Sequence, residues 1–176
     1  RGVLSEIQIK RMCRRVQEHG GFISMETGKD GKKRPFELNI TWFSALNRWN
    51  STHSEELQVH RFVASRAIAL VLRGVPGIYL PSVMGSPNDV EAVFREGSER
   101  SINRTRIDVD RLFEILGDEN AVATRIARAY VQLLQVRVAE PAFHPNAGQR
   151  VLEIDRRLFS VVRTAVGGAT RVLCLI

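Results

Sequence analysis

The sequence predicts an α/β chain in which helices and one short buried strand come first and a run of antiparallel strands comes last. Three observations carry this expectation. Apolar residues recur at helical spacing through residues 54–72 and 119–140. A Gly/Pro break at "RGVPG" leads into the apolar run "IYLPSV". After Gln149, strand-like segments follow one another, the last two joined by "VGGAT".

Each element has its own signal. Ser5 is placed to cap a helix running to about His19, which Gly20 and Gly21 end. Residues 20–38, with Gly28, Gly31 and Pro35, read as a loop, and "ELNITWFSAL" is apolar and mixed. A helix is expected over Ser54–Leu72, with Leu57, Phe62, Ile68 and Val71 near helical spacing and a second half apolar nearly all round, which calls for deep packing. "GVPGIYLPSV" reads as a break into a buried strand, followed by a turn-rich patch with Gly85, Pro87, Asn88 and Asp89. Short helices are expected at Asp89–Glu96 and Asp108–Leu116, and a longer one at Glu119–Glu140. "EPAFHPNAGQ" reads as a linker before "RVLEID", "LFSVVRT" and "RVLCLI".

The whole-chain properties narrow the function classes. At 176 residues, with 44% hydrophobic and 26% charged residues, the chain is long enough for one domain with a real core. The net charge of +7 is scattered: Lys10, Arg11, Arg14 and Arg15 lie on one helix, "GKKR" on a loop, and single arginines across most helices. No aromatic-interleaved patch accompanies them, so the charges read as solvated faces and no nucleic-acid partner is expected. No run of about 18 apolar residues occurs, and polar residues interrupt the N-terminus, so neither a membrane span nor a signal peptide is expected. Cys13 and Cys174 stand alone, which suits a reducing cytoplasm. The chain starts at Arg1 and stops in an apolar strand-like run that would need a partner, so the reading expects a piece of a longer protein.

"LNITWFSAL", then "FVASRAIALVLRGVPGIYLPSVMGSPNDVEAV", then "GSERSINR" resemble the C-terminal part of the sucrose phosphorylase-type enzymes of the α-amylase superfamily, glycoside hydrolase family 13. "PAFHPNA" resembles the subgroup that includes glucosylglycerate phosphorylases. The resemblance implies the last portion of a (β/α)₈ TIM barrel over residues 1–140, a linker at 141–148 and the start of a small antiparallel β-domain at 149–176. "GIYLPSV" would be the eighth barrel strand, with its C-terminal end on the face that carries chemistry in such barrels.

The resemblance also implies a reaction: transfer of glucose from a sucrose-like or glucosylglycerate-like donor to phosphate, by double displacement, without cofactor or metal. The family's catalytic carboxylates come from strands four, five and seven, which lie before Arg1, so no catalytic residue is expected in this chain. Asp89, Glu91, Glu96 and Glu99 show no spacing that marks an acid/base pair. The family's glucosyl-contacting arginine matches Arg100 in "RSINR", and a planar guanidinium suits paired hydroxyls. Asn103 and Arg104 complete that motif. On the acceptor loop, Phe36 and Glu37 stand where the family has an aromatic followed by Gln. Glu37 would repel an anion unless a cation pairs with it, and Lys32, Lys33 and Arg34 are nearby in sequence.

Alternatives at this point are a hydrolase or transglucosidase of the same superfamily, or a basic nucleic-acid-binding module. His19, His53, His60 and His144 show no metal spacing. The sequons at Asn39, Asn50 and Asn103 are expected to be unused, and Trp42 and Trp49 are expected to pack.

Overall fold

Ser5 starts the first helix by accepting the Gln8 amide on its hydroxyl while its own amide donates to the Gln8 side chain, a capping box. The computed structural model describes residues 3–176, and this helix, α1, spans Glu6–Glu18. It ends at Gly20, whose φ of +76° suits a residue without Cβ.

Residues 20–38, expected as a loop, form a hairpin instead. Strand β1 (Phe22–Thr27) pairs antiparallel with β2 (Lys33–Asn39). The glycines and Pro35 that suggested a loop fall at the tip and at an irregularity in the ladder. Ser24 faces Glu37 and Met25 faces Pro35, so Phe36 is the extra residue of a bulge. A bulge tolerates proline because it interrupts the hydrogen bonding that proline cannot supply.

Helix α2 (Trp42–Leu46) is capped by Thr41, and α3 (Glu55–Val71) by Ser54, whose hydroxyl takes the Leu57 amide. Helix α3 packs along α7 (Val122–Ala139). Val59 and Phe62 meet Ile126 there, with the Phe43 ring 5.8 Å from that of Phe62.

The expected strand at "GIYLPSV" is not a strand. Residues 74–79 make no ladder, and Leu80–Val83 form a single helical turn, α4, opened by Tyr79 and Pro81. A strand exists only through a hydrogen-bonded neighbour, and no described strand pairs with this segment. Helix α5 (Val90–Glu96) follows, capped by the Asp89 carboxylate on the Ala92 amide and closed by Gly97 at φ +63°. A 3₁₀ turn covers Glu99–Asn103, and α6 (Val109–Gly117) starts from the Asp108 cap.

Pro141–Phe143 form another 3₁₀ turn, with Ala142, Phe143 and Ala147 buried. Strands β3 (Gly148–Leu152), β4 (Ser160–Thr164) and β5 (Arg171–Leu175) make an antiparallel sheet in that order. Phe143, Val161 and Cys174 form its core. Two arginines join the sheet and α7 to the end of α3. Arg163, fully buried, donates to the carbonyls of Val71, His144 and Gly148 at 2.9, 3.0 and 3.2 Å. Arg137 donates to the carbonyls of Leu70, Leu72 and Gly74. Carbonyls at a helix C-terminus carry partial negative charge, so cations suit them. Burial lowers the pKa of both arginines, with Arg137 lowering Arg163 further. No described helix is long and apolar enough to cross a membrane.

Candidate substrate-binding site

The turn-rich patch after Tyr79 opens on a cavity of about 320 Å³ whose wall includes Trp42, Tyr79, Ser82, Gly85, Asn103 and Arg104. The Tyr79 hydroxyl donates to the Asn103 carbonyl at 2.9 Å, tying the 74–79 segment to the 3₁₀ turn. Gly85, at φ +62°, is pressed against Ile126: a Cβ there would lie 2.4 Å from the Ile126 Cδ1. Of the two tryptophans expected to pack, Trp42 is half exposed and Trp49 almost fully exposed. Trp42 has Arg66 stacked 4.7 Å from its ring centre and donates its indole N–H to the Ser65 hydroxyl. Among the described residues, the wall holds the Arg104 cation and no Asp or Glu.

Beside this cavity the hairpin docks on the 3₁₀ turn through polar groups. Ser24 and Glu37 oppose each other across the hairpin, and Asn39 lies two residues on along β2, buried. The Ser24 hydroxyl donates to the Glu99 carboxylate at 2.5 Å. The Asn39 amide donates to the Ser24 hydroxyl at 2.8 Å and to Glu99 at 3.5 Å. Immediately next to Glu99, Arg100 Nε donates to the Glu37 carboxylate at 2.6 Å. The cation that neutralises Glu37 is therefore Arg100, not the neighbouring basic run; Arg34 is committed to Asp30. Below the turn, the Ser101 hydroxyl donates to Glu96 at 2.6 Å and, with Arg95, holds that carboxyl below its ordinary pKa.

The predicted site residues fall in two adjoining places. Asn103 and Arg104 line the cavity; Arg100 and Glu37 pair one turn away. Phe36 does not line the cavity; it is exposed beside a recess of about 100 Å³ that it shares with Glu37 and with Ile9, Met12 and Cys13 of α1. Sequence reasoning missed Ser24, Asn39 and Tyr79, and weighed Glu99 only as an acid/base candidate. A usable signal was present: Glu37 and Asn39 are polar at period two, the mark of one strand face. Asn39 is also a sequon residue that burial puts out of reach of modification.

No family model matches the chain. The chain is similar to curated phosphorylases. It is 41% identical over 151 residues to the glucosylglycerate phosphorylase of Allomeiothermus silvanus, covering 86% of this chain and 27% of that protein. It is 35% identical over all 176 residues to the glucosylglycerate phosphorylase of Spirochaeta thermophila, covering 30% of that protein. The chain thus spans under a third of the length of these relatives. The crystal structure of sucrose 6F-phosphate phosphorylase from Thermoanaerobacter thermosaccharolyticum superposes on 99% of the chain with a TM-score of 0.78 at 20% identity, covering 32% of that structure.

Proposed function

The chain is homologous to glucosylglycerate and sucrose phosphorylases, and on that premise we propose that it forms the sugar-binding rim of an enzyme that transfers glucose from an α-glucoside to phosphate. The observation that carries the reading is the match along 86% to 100% of the chain to proteins named for that activity. The donor is glucosylglycerate or a close analogue, the setting is the cytoplasm, and no cofactor takes part. Residues 1–140 belong to the last part of the catalytic barrel, 141–148 link it to a β-domain, and 149–176 begin that domain.

Retaining transfer needs a carboxylate nucleophile and a carboxylic acid about 5–5.5 Å apart. Among the described residues, the cavity wall offers Arg104, Asn103 and hydroxyls but no acid. As the resemblance to these phosphorylases implies, the pair comes from other segments of the enzyme, and this segment binds and orients. Arg100, with a permanent charge and a planar fork, holds hydroxyls of the glucosyl unit. Asn103 and Arg104 fix the neighbouring wall.

The test is phosphorolysis by the whole protein. Glucosylglycerate with inorganic phosphate should give glucose 1-phosphate, and sucrose should give less. Release of free glucose at the same rate with and without phosphate would instead identify a hydrolase. Residues 1–176 alone should give neither product.

A further inference from the structure

We infer that Glu37 acts through Arg100, as a positioning residue that aims the guanidinium at the substrate, and is not a separate acceptor-side group. The inference rests on the reading of Arg100 as a sugar-binding residue and adds to it the part that holds Arg100 in place.

The geometry gives Glu37 this role. Arg100 donates to Glu37 through Nε at 2.6 Å, and among the described residues its two Nη groups donate to nothing. A guanidinium held by its Nε edge has lost its freedom to turn and still presents both Nη groups, the pair that matches two adjacent oxygens. Glu37 is itself held. It sits on β2 opposite Ser24, and that face of the hairpin is pinned through Ser24 and, two residues on, Asn39 to Glu99. Consecutive residues of the 3₁₀ turn, Glu99 and Arg100, thus meet one strand face.

Stability does not account for the pair. The Arg100 and Glu37 side chains are 49% and 35% exposed, and ion pairs of that exposure add little to folding. Orientation is what such a pair supplies, and small misplacements of a binding group cost rate steeply.

The test is a double-mutant cycle in the whole protein, with Glu37→Ala, Glu37→Gln, Arg100→Ala and Glu37→Ala/Arg100→Ala. The readout is kcat/KM for glucosyl transfer to phosphate and to water. Glu37→Ala should lower both by similar factors, about tenfold. The double variant should be no worse than Arg100→Ala, because Glu37 has nothing left to position. Glu37→Gln keeps an acceptor oxygen for Nε and should recover most of the loss. A parallel reading uses the Arg100 Nε–H resonance in ¹⁵N-arginine-labelled protein, which Glu37→Ala should shift and Glu37→Gln largely preserve. Multiplicative losses in the double variant, or a Glu37→Ala effect confined to phosphate, would overturn the inference. An Arg100→Ala variant with full activity but a shifted resonance in Glu37→Ala would overturn it differently: the pair would stand and the sugar-binding reading of Arg100 would fall.

Discussion

Arg163 on β4 reaches back 92 residues to hydrogen-bond the carbonyl of Val71 at 2.9 Å. That contact fastens the C-terminal sheet to the end of α3, just before the segment that leads to the cavity. Removing the side chain leaves three carbonyls short of a donor and a buried gap over the Phe143 ring. Arg163→Met should destabilise by about 3–5 kcal/mol, with Arg163→Lys recovering only part. Urea unfolding of the two variants against wild type measures this, and an unchanged midpoint for Arg163→Met would show that the clamp contributes nothing.

Asn88 is a second junction. Its side chain accepts from the Thr41 amide at 2.8 Å and donates to the carbonyls of His19 and Gly20, while its own amide donates to the Ser44 hydroxyl. Asn88→Ala strands an amide and two carbonyls, and about 2–3 kcal/mol of stability should go with it. Asn88→Asp should be no better, since a carboxylate cannot donate to the two carbonyls. Thermal melts of both variants decide the matter.

Gly85 separates the cavity from the core. A methyl group there meets both a left-handed backbone and the Ile126 side chain at 2.4 Å. Gly85→Ala should cost about 2–4 kcal/mol. Pairing it with Ile126→Val should recover part of the loss by giving the methyl room. Additive costs in the double variant would locate the strain in the backbone alone.

Cys174 gives a pH dependence. Burial among Phe143 and Val161 raises its thiol pKa above the ordinary 9.0, with Arg163 offsetting this in part. A raised folded value means that the unfolded chain loses the thiol proton first as pH rises. The thiol's contribution is therefore complete well below pH 9.0 and declines as pH climbs from there toward the folded value. Cys174→Ala should flatten the fall in stability above that pH, and thiol reagents should modify Cys13, which is only half-buried, well before Cys174. Equal labelling rates in the native protein would contradict the packing described for β5.

Local chemistry made much of this fold legible. Ser5, Ser54, Asp89 and Asp108 all cap the helices their positions suggested, because a cap is a matter of a few adjacent residues. The Gly-Gly turn between β4 and β5 is equally local. Partnership was less legible. Pro35, Gly28 and Gly31 disguised the β1–β2 hairpin, which survives the proline by means of a bulge. Residues 77–83 looked like a strand by composition, yet strand structure depends on a neighbour that composition does not report. At the site, the motif around Arg100 could be read from sequence alone. Its carboxylate partner could not, since Glu37 lies 63 residues away. Sequence reasoning put the two on opposite sides of the reaction, and their hydrogen bond joins them.

Arg100 carries the account's central claim, that this segment holds the glucosyl unit whichever acceptor follows. The most direct measurement is kcat/KM of the whole protein for glucosyl transfer to phosphate and to water, in wild type and Arg100→Ala. A charge-assisted hydrogen bond is worth about 1.5–3 kcal/mol, so both reactions should fall together by about ten- to a hundredfold. Hydrolysis left intact while transfer to phosphate collapses would contradict the claim and assign Arg100 to the acceptor.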